Sequence, residues 1–130
     1  MENIQRSTNW WAFLSGYCSF KRRDIMRLNG FDPFFEGWGG ADNELGYRVV
    51  LNGMDIVYTQ NPMAFEIWQD KNLEERYRSV LTNIDYMCRK FPELRQFEPL
   101  VARKREVEDW LKGHESKGNA RFNRGESIPD

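Results

Sequence analysis

The residues best suited to chemistry lie in a glycine-rich segment near the middle of the first half of the chain. Gly37, Gly39 and Gly40 surround Trp38. Three glycines so close together cost backbone entropy on folding and pack no core of their own. They do allow backbone N–H groups to come close to a ligand, and they leave the flat face of Trp38 open for stacking on the C–H face of a sugar ring. This segment therefore favours a ligand-binding loop.

Two acidic residues follow the glycines at the start of a predicted helix. Asp42 and Glu44 lie where carboxylates are favoured by the positive end of the helix dipole. The same residues allow a purely structural interpretation, in which Asp42 only caps the helix and Trp38 only covers the core. The residues of this segment by themselves leave both interpretations open.

Short regular elements are predicted on both sides of the loop. Residues 10–20 are mostly apolar and favour an extended segment, with Tyr17, Cys18 and Phe20 suited to a buried strand. Further along, apolar residues recur at helical spacing, and Gly, Asn and Pro mark where elements end. The pattern predicts helices at about residues 21–28, 42–51, 72–90 and 98–112, and a strand at about 55–59. Residues 62–68 could pair with this strand or lead back under the glycine-rich loop.

The predicted fold class is α/β, with short strands, several helices and a helix-rich C-terminus. A chain of 130 residues suits one small domain. We expect a polar N-terminal segment at residues 1–9 and a folded domain at 10–113, with a helical extension from about residue 72. Residues 114–130 turn polar and are expected to form a flexible tail.

Charge and cysteine content narrow the class of protein. The formal net charge of −1 gives no basic excess of the kind that nucleic-acid binding needs, and we interpret the basic run at 21–23 as the exposed first turn of a helix. Cys18 and Cys88 lack metal-ligand spacing and are expected to be buried thiols. We find neither a signal peptide nor an apolar run long enough to span a membrane, and we expect a cytoplasmic protein.

Longer motifs stand in a fixed order along the chain. They read Gly16-Tyr17-Cys18-Ser19-Phe20-Lys21-Arg22, then Asn29-Gly30-Phe31-Asp32-Pro33-Phe34, then Gly37-Trp38-Gly39-Gly40-Ala41-Asp42-Asn43-Glu44-Leu45-Gly46-Tyr47-Arg48, and finally Gly53. Over about residues 10–70 the chain resembles the C-terminal region of GT-A-fold glycosyltransferases. The likeness is to the galactosyltransferase-type C-terminal domain, which is shared with bacterial family 2 enzymes and chondroitin-polymerase-like proteins.

This resemblance implies a partial GT-A fold, namely its acceptor-side C-terminal half. The implied activity is that of an inverting transferase in polysaccharide biosynthesis, with a UDP-hexose or UDP-N-acetylhexosamine donor and a carbohydrate acceptor. By the resemblance, Asp42 is the general base that takes the proton from the acceptor hydroxyl. Trp38 packs on the acceptor sugar, and the two glycines after it lie near the donor. The implied substrate-binding positions are Trp38, Gly39, Gly40, Asn43 and Glu44.

Other residues of the motifs are expected to have structural roles. We interpret Arg48 as pairing with a carboxylate of the loop. In the turn at 29–32, Phe31 is expected to be buried and Asp32 to accept hydrogen bonds from loop amides. These residues would anchor the loop rather than touch a substrate.

The chain departs from the family pattern at two places. Ala41 stands where relatives usually carry an acidic residue that binds acceptor hydroxyls. Residues 64–70 lack the histidine that in many relatives binds the divalent metal, Mn²⁺ or Mg²⁺, beside the leaving diphosphate. Glu66 and Asp70 are weak candidates to replace it as oxygen ligands, and His114, the only histidine, is expected to be solvated.

The nucleotide-binding half of such enzymes is not recognisable in the chain. Relatives hold the diphosphate and metal on an N-terminal half with an Asp-x-Asp motif, and no such motif occurs here. Activity would need that half from a longer protein, a partner chain or a homo-oligomer, which exposed apolar surface would favour. Two other functions stay open. One is a non-catalytic carbohydrate-binding or regulatory remnant, and the other is an interaction domain that assembles through Trp10, Trp11 and Trp68.

Overall fold

The computed structural model describes residues 5–59, 65, 67 and 72–122. Within these residues the chain forms two short strands and four α-helices, linked by loops and by single turns of 3₁₀-helix. The strands are β1 (Gln5–Ser7) and β2 (Ile56–Tyr58), and the helices are α1 (Arg22–Arg27), α2 (Ala41–Leu51), α3 (Leu73–Lys90) and α4 (Glu98–Phe122). The 3₁₀ turns are Trp10–Ala12, Ser15–Tyr17 and Pro92–Gln96.

The described part is helix-rich with one small sheet. Strands β1 and β2 pair antiparallel, with Arg6 opposite Val57 at the centre of the register. This content agrees with the α/β class predicted from the sequence, and β2 and all four helices lie where apolar spacing predicted them. Membership of a partial GT-A fold stays a prediction. The proposed pairing of residues 62–68 with β2 lies outside the described residues.

The segment at 10–20 is not the buried strand that we predicted. It forms two 3₁₀ turns, because Trp10 and Phe13 are buried on one side at a spacing of three residues, which suits a helical turn and not an extended strand. The Trp10 ring lies 4.9 Å from that of Tyr47 on α2. A consequence of the missing strand is that Cys18 is exposed, so its predicted burial is wrong, whereas the free thiol of Cys88 is half-buried.

The turn after α1 has the backbone that the sequence predicted. Asn29 and Gly30 adopt positive φ angles of 58° and 65°. Asparagine and glycine are the residues that tolerate this left-handed conformation at a helix end. The chain therefore leaves α1 abruptly and enters the loop that leads to α2.

Helices α3 and α4 pack against each other and supply much of the core. On α3 the apolar side chains of Val80, Ile84 and Met87 recur at helical spacing, and all three are buried. On α4 the buried residues include Leu100 and Val107. Burying an aliphatic side chain of this size stabilises a fold by roughly 1.5–3 kcal/mol, so α3 is firmly held and can support the loops that pack on it.

Helix α4 is longer than predicted and runs through Phe122, into the segment that we assigned to a tail. Near the predicted boundary, the His114 ring stacks on that of Trp110 with a centroid distance of 3.6 Å, so His114 is exposed but also packed. No helix in the described part of the chain is both long and apolar enough to cross a membrane. A cytoplasmic location stays a prediction.

Candidate functional site

Asp42 lies in the first turn of α2, and its carboxylate is half-buried. The residue at the cap position is Gly40, which has no side chain, so Asp42 is not the helix cap of the structural interpretation. Instead the hydroxyl of Ser15 donates a hydrogen bond to Asp42 Oδ1. The carboxylate is therefore held from a separate part of the chain and is not used to end the helix.

Trp38 lies on the surface and does not cover the core. Its exposed fraction is 43%. The guanidinium carbon of Arg76, in the first turn of α3, lies 5.2 Å from the centre of the Trp38 ring, within the range of a cation–π contact. An exposed ring with a cation over it can still take a flat ligand, either beside the arginine or in its place.

The glycines of the loop are required by close packing against α3. Gly37, Gly39 and Gly40 have φ angles of 66°, 89° and 88°. A Cβ atom at Gly39 would lie 2.7 Å from Val80 Cγ2, closer than real contacts allow. Packing on the helix therefore accounts for these glycines without a ligand, and the expected contact of Gly39 and Gly40 with the donor stays a prediction.

One buried side chain of α3 binds the backbone on both sides of Trp38. Asn83 is only 2% exposed. Its amide nitrogen donates hydrogen bonds to the carbonyl oxygens of Glu36 at 2.9 Å and Gly39 at 2.7 Å. The loop is thus attached to α3 by polar contacts as well as by packing.

Asp32 anchors the beginning of the same loop. Its carboxylate accepts hydrogen bonds from the Phe34 backbone N–H at 2.9 Å, as expected for a loop anchor, and also from the Tyr86 hydroxyl at 2.8 Å and from Lys90. Burial alone would raise the pKa of Asp32, but these hydrogen bonds, above all that from Lys90, hold it below its ordinary value. Phe31 is half exposed, so its predicted burial is wrong, because Asp32 and not its neighbour points to α3.

Glu44 lies at the centre of a buried ionic cluster. Its side chain has no exposed surface, and Oε1 accepts from Arg48 Nε at 2.6 Å and from Lys90 Nζ at 2.8 Å. Arg48 also donates to the backbone carbonyls of Leu28 and Gly30. Arg48 therefore has the predicted structural role, but its carboxylate partner is on its own helix and its contacts to the loop are with carbonyls.

The predicted substrate-binding residues beyond the loop face inward. The burial of Glu44 favours a positioning role over the substrate contact that the sequence predicted. The side-chain amide of Asn43 donates to the Trp11 carbonyl oxygen at 2.8 Å, which likewise attaches α2 to the N-terminal turns. Among the predicted site residues, Trp38 is exposed, Asp42 and Asn43 are half-buried, and Glu44 is fully buried.

An open cleft lies beside the loop. Its volume is about 690 Å³, and it lies between Glu36 and Gly37 of the loop and the first three turns of α3. The α3 residues that line it include Glu75, Arg78 and Ser79. A cleft of this size can hold a small ligand, but neither Trp38 nor Asp42 is among its lining residues.

Metal ligands are not found in the described part of the chain. Across residues 5–59, 65, 67 and 72–122, no group of three or more His, Cys, Asp or Glu side chains could hold a metal ion. The weak candidates Glu66 and Asp70 lie outside the described residues. Ala41, at the first position of α2, offers no carboxylate to either a metal or an acceptor.

Sequence reasoning missed the side chains that support the site from a distance. Ser15 gave no signal, since serines are common in irregular segments. Asn83 did give one, because it is a polar residue on the apolar stripe of α3, between Val80 and Ile84. A buried polar side chain is nearly always hydrogen-bonded, so its position could have pointed to a buried backbone partner.

Comparison with known proteins identifies the class to which this loop and helix belong. Residues 1–75 match a family model described as the N-terminal domain of galactosyltransferase. Because the match covers more than half of the chain, the chain belongs to this galactosyltransferase family. The predicted C-terminal, acceptor-side placement stays a prediction, since the matching model is described as an N-terminal domain.

Curated relatives of the chain are glycosyltransferases. It is 34% identical over 85 residues to validoxylamine A glucosyltransferase from Streptomyces hygroscopicus subsp. jinggangensis (strain 5008), covering 65% of this chain and 20% of that protein. It is 31% identical over 94 residues to chondroitin synthase from Escherichia coli, covering 72% and 13%. Chondroitin sulfate N-acetylgalactosaminyltransferase 2 from Homo sapiens is 33% identical over 78 residues, covering 55% and 14%.

These relatives are much longer than the chain. The chain spans about a fifth of the length of the validoxylamine A glucosyltransferase and less of the two chondroitin enzymes. No solved structure matches it. Membership of a glycosyltransferase family is therefore established by sequence.

Proposed function

We propose that this chain is the acceptor-binding and base-bearing part of a nucleotide-sugar-dependent, inverting glycosyltransferase. In this proposal the nucleotide-binding half comes from the rest of a longer protein, from a partner chain or from a second copy. The chain is thus the acceptor-side half of a GT-A-type enzyme. Trp38 binds the acceptor sugar, and Asp42 is the general base.

The observation that carries the proposal is the pairing of an open ring with a held carboxylate. Trp38 is exposed on a loop that Asn83 attaches to α3, and Asp42 follows four residues later with Ser15 bonded to one of its oxygens. A general base must be held in place and must keep a lone pair within reach of the acceptor. The half-buried Asp42 carboxylate has a second oxygen that can do this.

The reaction in this proposal is a single displacement at the anomeric carbon of the donor. An acceptor hydroxyl oxygen forms a bond to that carbon while its proton passes to Asp42. The bond between the anomeric carbon and the nucleoside diphosphate breaks at the same time, and the diphosphate leaves with the electron pair. Attack from the face opposite the leaving group inverts the configuration of the sugar.

The relatives suggest the donor class. Their names describe a glucosyltransferase and an N-acetylgalactosaminyltransferase. We therefore propose a UDP-hexose or UDP-N-acetylhexosamine as donor and a carbohydrate chain or a related polyol as acceptor. A divalent metal often supports the departure of a diphosphate in such enzymes, but the described residues do not fit a metal site, and we assign no step to a metal here.

Titration and transfer assays with matched variants test the proposal. We would titrate the chain calorimetrically with UDP, with and without Mn²⁺, and with chondroitin oligosaccharides. We would then measure transfer from labelled UDP-glucose and UDP-N-acetylgalactosamine by the chain assembled with its nucleotide-binding half. Asp42→Asn should lower transfer by about 10²–10⁴-fold, the usual contribution of a general base, and should leave binding unchanged. The matched control is Asp109→Asn, at an exposed position on α4, and transfer by Asp42→Asn at the wild-type rate would refute the role of Asp42.

A non-catalytic carbohydrate-binding module is the second candidate, and one observation favours it. Ala41 has no carboxylate at the position where the family resemblance leads us to expect one, and it lies near an exposed Trp38 that needs no catalytic partner to bind a sugar. An assembled protein that includes the nucleotide-binding half and binds both UDP and oligosaccharide, but transfers no sugar, would support this module and contradict the enzyme. Loss of oligosaccharide binding in Trp38→Ala would then locate the binding surface.

A further inference from the structure

Asn83 is the buried polar residue in the middle of an apolar helix face. It is 2% exposed and lies between Val80 and Ile84, which are both buried core residues. Burying an amide costs free energy unless the amide is hydrogen-bonded. An asparagine at this place therefore needs a polar partner. Its partners are backbone carbonyls of the loop that carries Trp38, those of Glu36, Trp38 and Gly39.

The hydrogen bonds of Asn83 lie on both sides of Trp38. Nδ2 donates to Glu36 O at 2.9 Å and to Gly39 O at 2.7 Å, and the Trp38 carbonyl oxygen is 3.5 Å away. An amide nitrogen has two hydrogens, so the two short contacts use its full capacity. Asn83 therefore fixes the Glu36–Gly37 peptide and the Gly39–Gly40 peptide.

We infer that Asn83 is a positioning residue that sets the place of Trp38, and of the start of α2, for acceptor binding. This role rests on the proposed function. Close packing between the loop and α3 supports this role. A Cβ atom at Gly40 would lie 3.3 Å from Asn83 Cβ, and one at Gly39 would clash with Val80. The loop thus follows the surface of α3 closely, with Asn83 as its polar attachment. Nearly all of α3 lies beyond the residues that match the family model.

A second attachment on the same helix provides a matched control. Tyr86, three residues after Asn83, donates to Asp32 at the other end of the loop, where Lys90 also binds. Removing the Tyr86 hydroxyl loosens the loop start but leaves both Asn83 bonds beside Trp38 in place. The two variants therefore separate local positioning of Trp38 from general loosening of the loop.

The most selective substitution is Asn83→Asp, which keeps the shape of the side chain. An ionised carboxylate has no hydrogen to donate, and it would face the carbonyl oxygens of Glu36 and Gly39. At low pH the carboxyl group regains a proton and can donate one of the two hydrogen bonds. The variant should consequently hold the loop poorly and bind oligosaccharide weakly at pH 8, and both properties should partly recover at pH 5. The wild-type chain should show no such recovery.

The experiment measures amide hydrogen exchange of residues 36–41 and the affinity for chondroitin oligosaccharides at both pH values. We expect Asn83→Asp at pH 8 to speed exchange in the loop and to weaken oligosaccharide binding by about tenfold, the scale of one or two lost hydrogen bonds. Exchange in α4 should not change, and Tyr86→Phe should change the affinity by less than about twofold. If the aspartate variant does not fold, Asn83→Ala replaces it with the same expectations at pH 8.

Two results would overturn the inference. One is wild-type loop exchange in the Asn83 variants, and the other is an equal loss of affinity in Tyr86→Phe. A wild-type chain that binds no oligosaccharide would count against the proposed function instead. In that case the exchange data would still decide whether Asn83 holds the loop.

Discussion

Replacing Arg48 should destabilise the protein more than any ordinary surface change. Its side chain is 16% exposed, and its guanidinium group donates to both carboxylate oxygens of Glu44, at 2.6 and 2.9 Å. It also donates to the carbonyl oxygens of Leu28 and Gly30. Arg48→Met keeps most of the aliphatic volume but removes all of these hydrogen bonds, and it leaves a fully buried carboxylate short of a partner.

The size of the effect follows from what remains around Glu44. Removing one partner of a buried ion pair costs about 3–5 kcal/mol, because an uncompensated charge is left inside. Lys90 still binds Glu44 at 2.8 Å, so we expect a loss of about 3 kcal/mol, at the lower end of this range. For a small domain with a total stability of about 5–15 kcal/mol, that is a large fraction.

Urea unfolding followed by circular dichroism measures this loss. With a slope of about 1.5 kcal/mol/M, the midpoint should fall by about 2 M. Arg105→Met, at an exposed position on α4, is the matched control and should shift the midpoint little. Adding Glu44→Gln to Arg48→Met should recover part of the stability, since it removes the buried charge. A loss below about 1 kcal/mol, or a double variant less stable than Arg48→Met, would refute the role of the buried charge.

Two further predictions concern the pKa values of carboxyl and thiol groups. Hydrogen bonds outweigh burial and lower the pKa of Asp32 in the folded protein, so the unfolded chain binds its proton more readily. The stability that Asp32 contributes is then complete above about pH 4, the unfolded value, and is lost as the pH falls through the folded pKa. Asp32→Asn should flatten this acid dependence in urea unfolding between pH 2 and 6. Cys18 is exposed, but partial desolvation of its thiol, and secondarily the charge of Asp42, raise the pKa of that thiol. Asp42→Asn should therefore speed alkylation of Cys18 by iodoacetamide at pH 8, in a Cys88→Ser background.

One experimental outcome would contradict each of these two predictions. An acid dependence of the same slope in Asp32→Asn would mean that other carboxyl groups account for it. An unchanged alkylation rate of Cys18 in Asp42→Asn would mean that the charge of Asp42 does not raise the pKa of the thiol. Asp109→Asn, far from the cysteine in sequence and on α4, serves as the control for a general effect of removing one negative charge.

Local features of the fold could be predicted from the sequence because their causes are local. The left-handed turn at Asn29 and Gly30 follows from the side chains of those two residues. Helix α3 follows from apolar residues such as Val80, Ile84 and Met87, which recur at helical spacing. The ordered motifs between Gly16 and Gly53 also predicted a galactosyltransferase-type family, and the match over residues 1–75 confirms that family, while the C-terminal placement stays a prediction.

The tertiary structure decided which polar side chains support the site and which remain open. Glu44 and Lys90 are 46 residues apart, and Asn83 is 44 residues from Gly39. A local sequence pattern cannot predict that such residues are in contact, because the contact depends on how α3 packs on α2 and the loop. Glu44 therefore looked like a ligand-binding residue in the sequence and is a buried anchor in the fold. Trp38 and Asp42 stay partly open because the helix holds the loop by its backbone and leaves these two side chains uncovered.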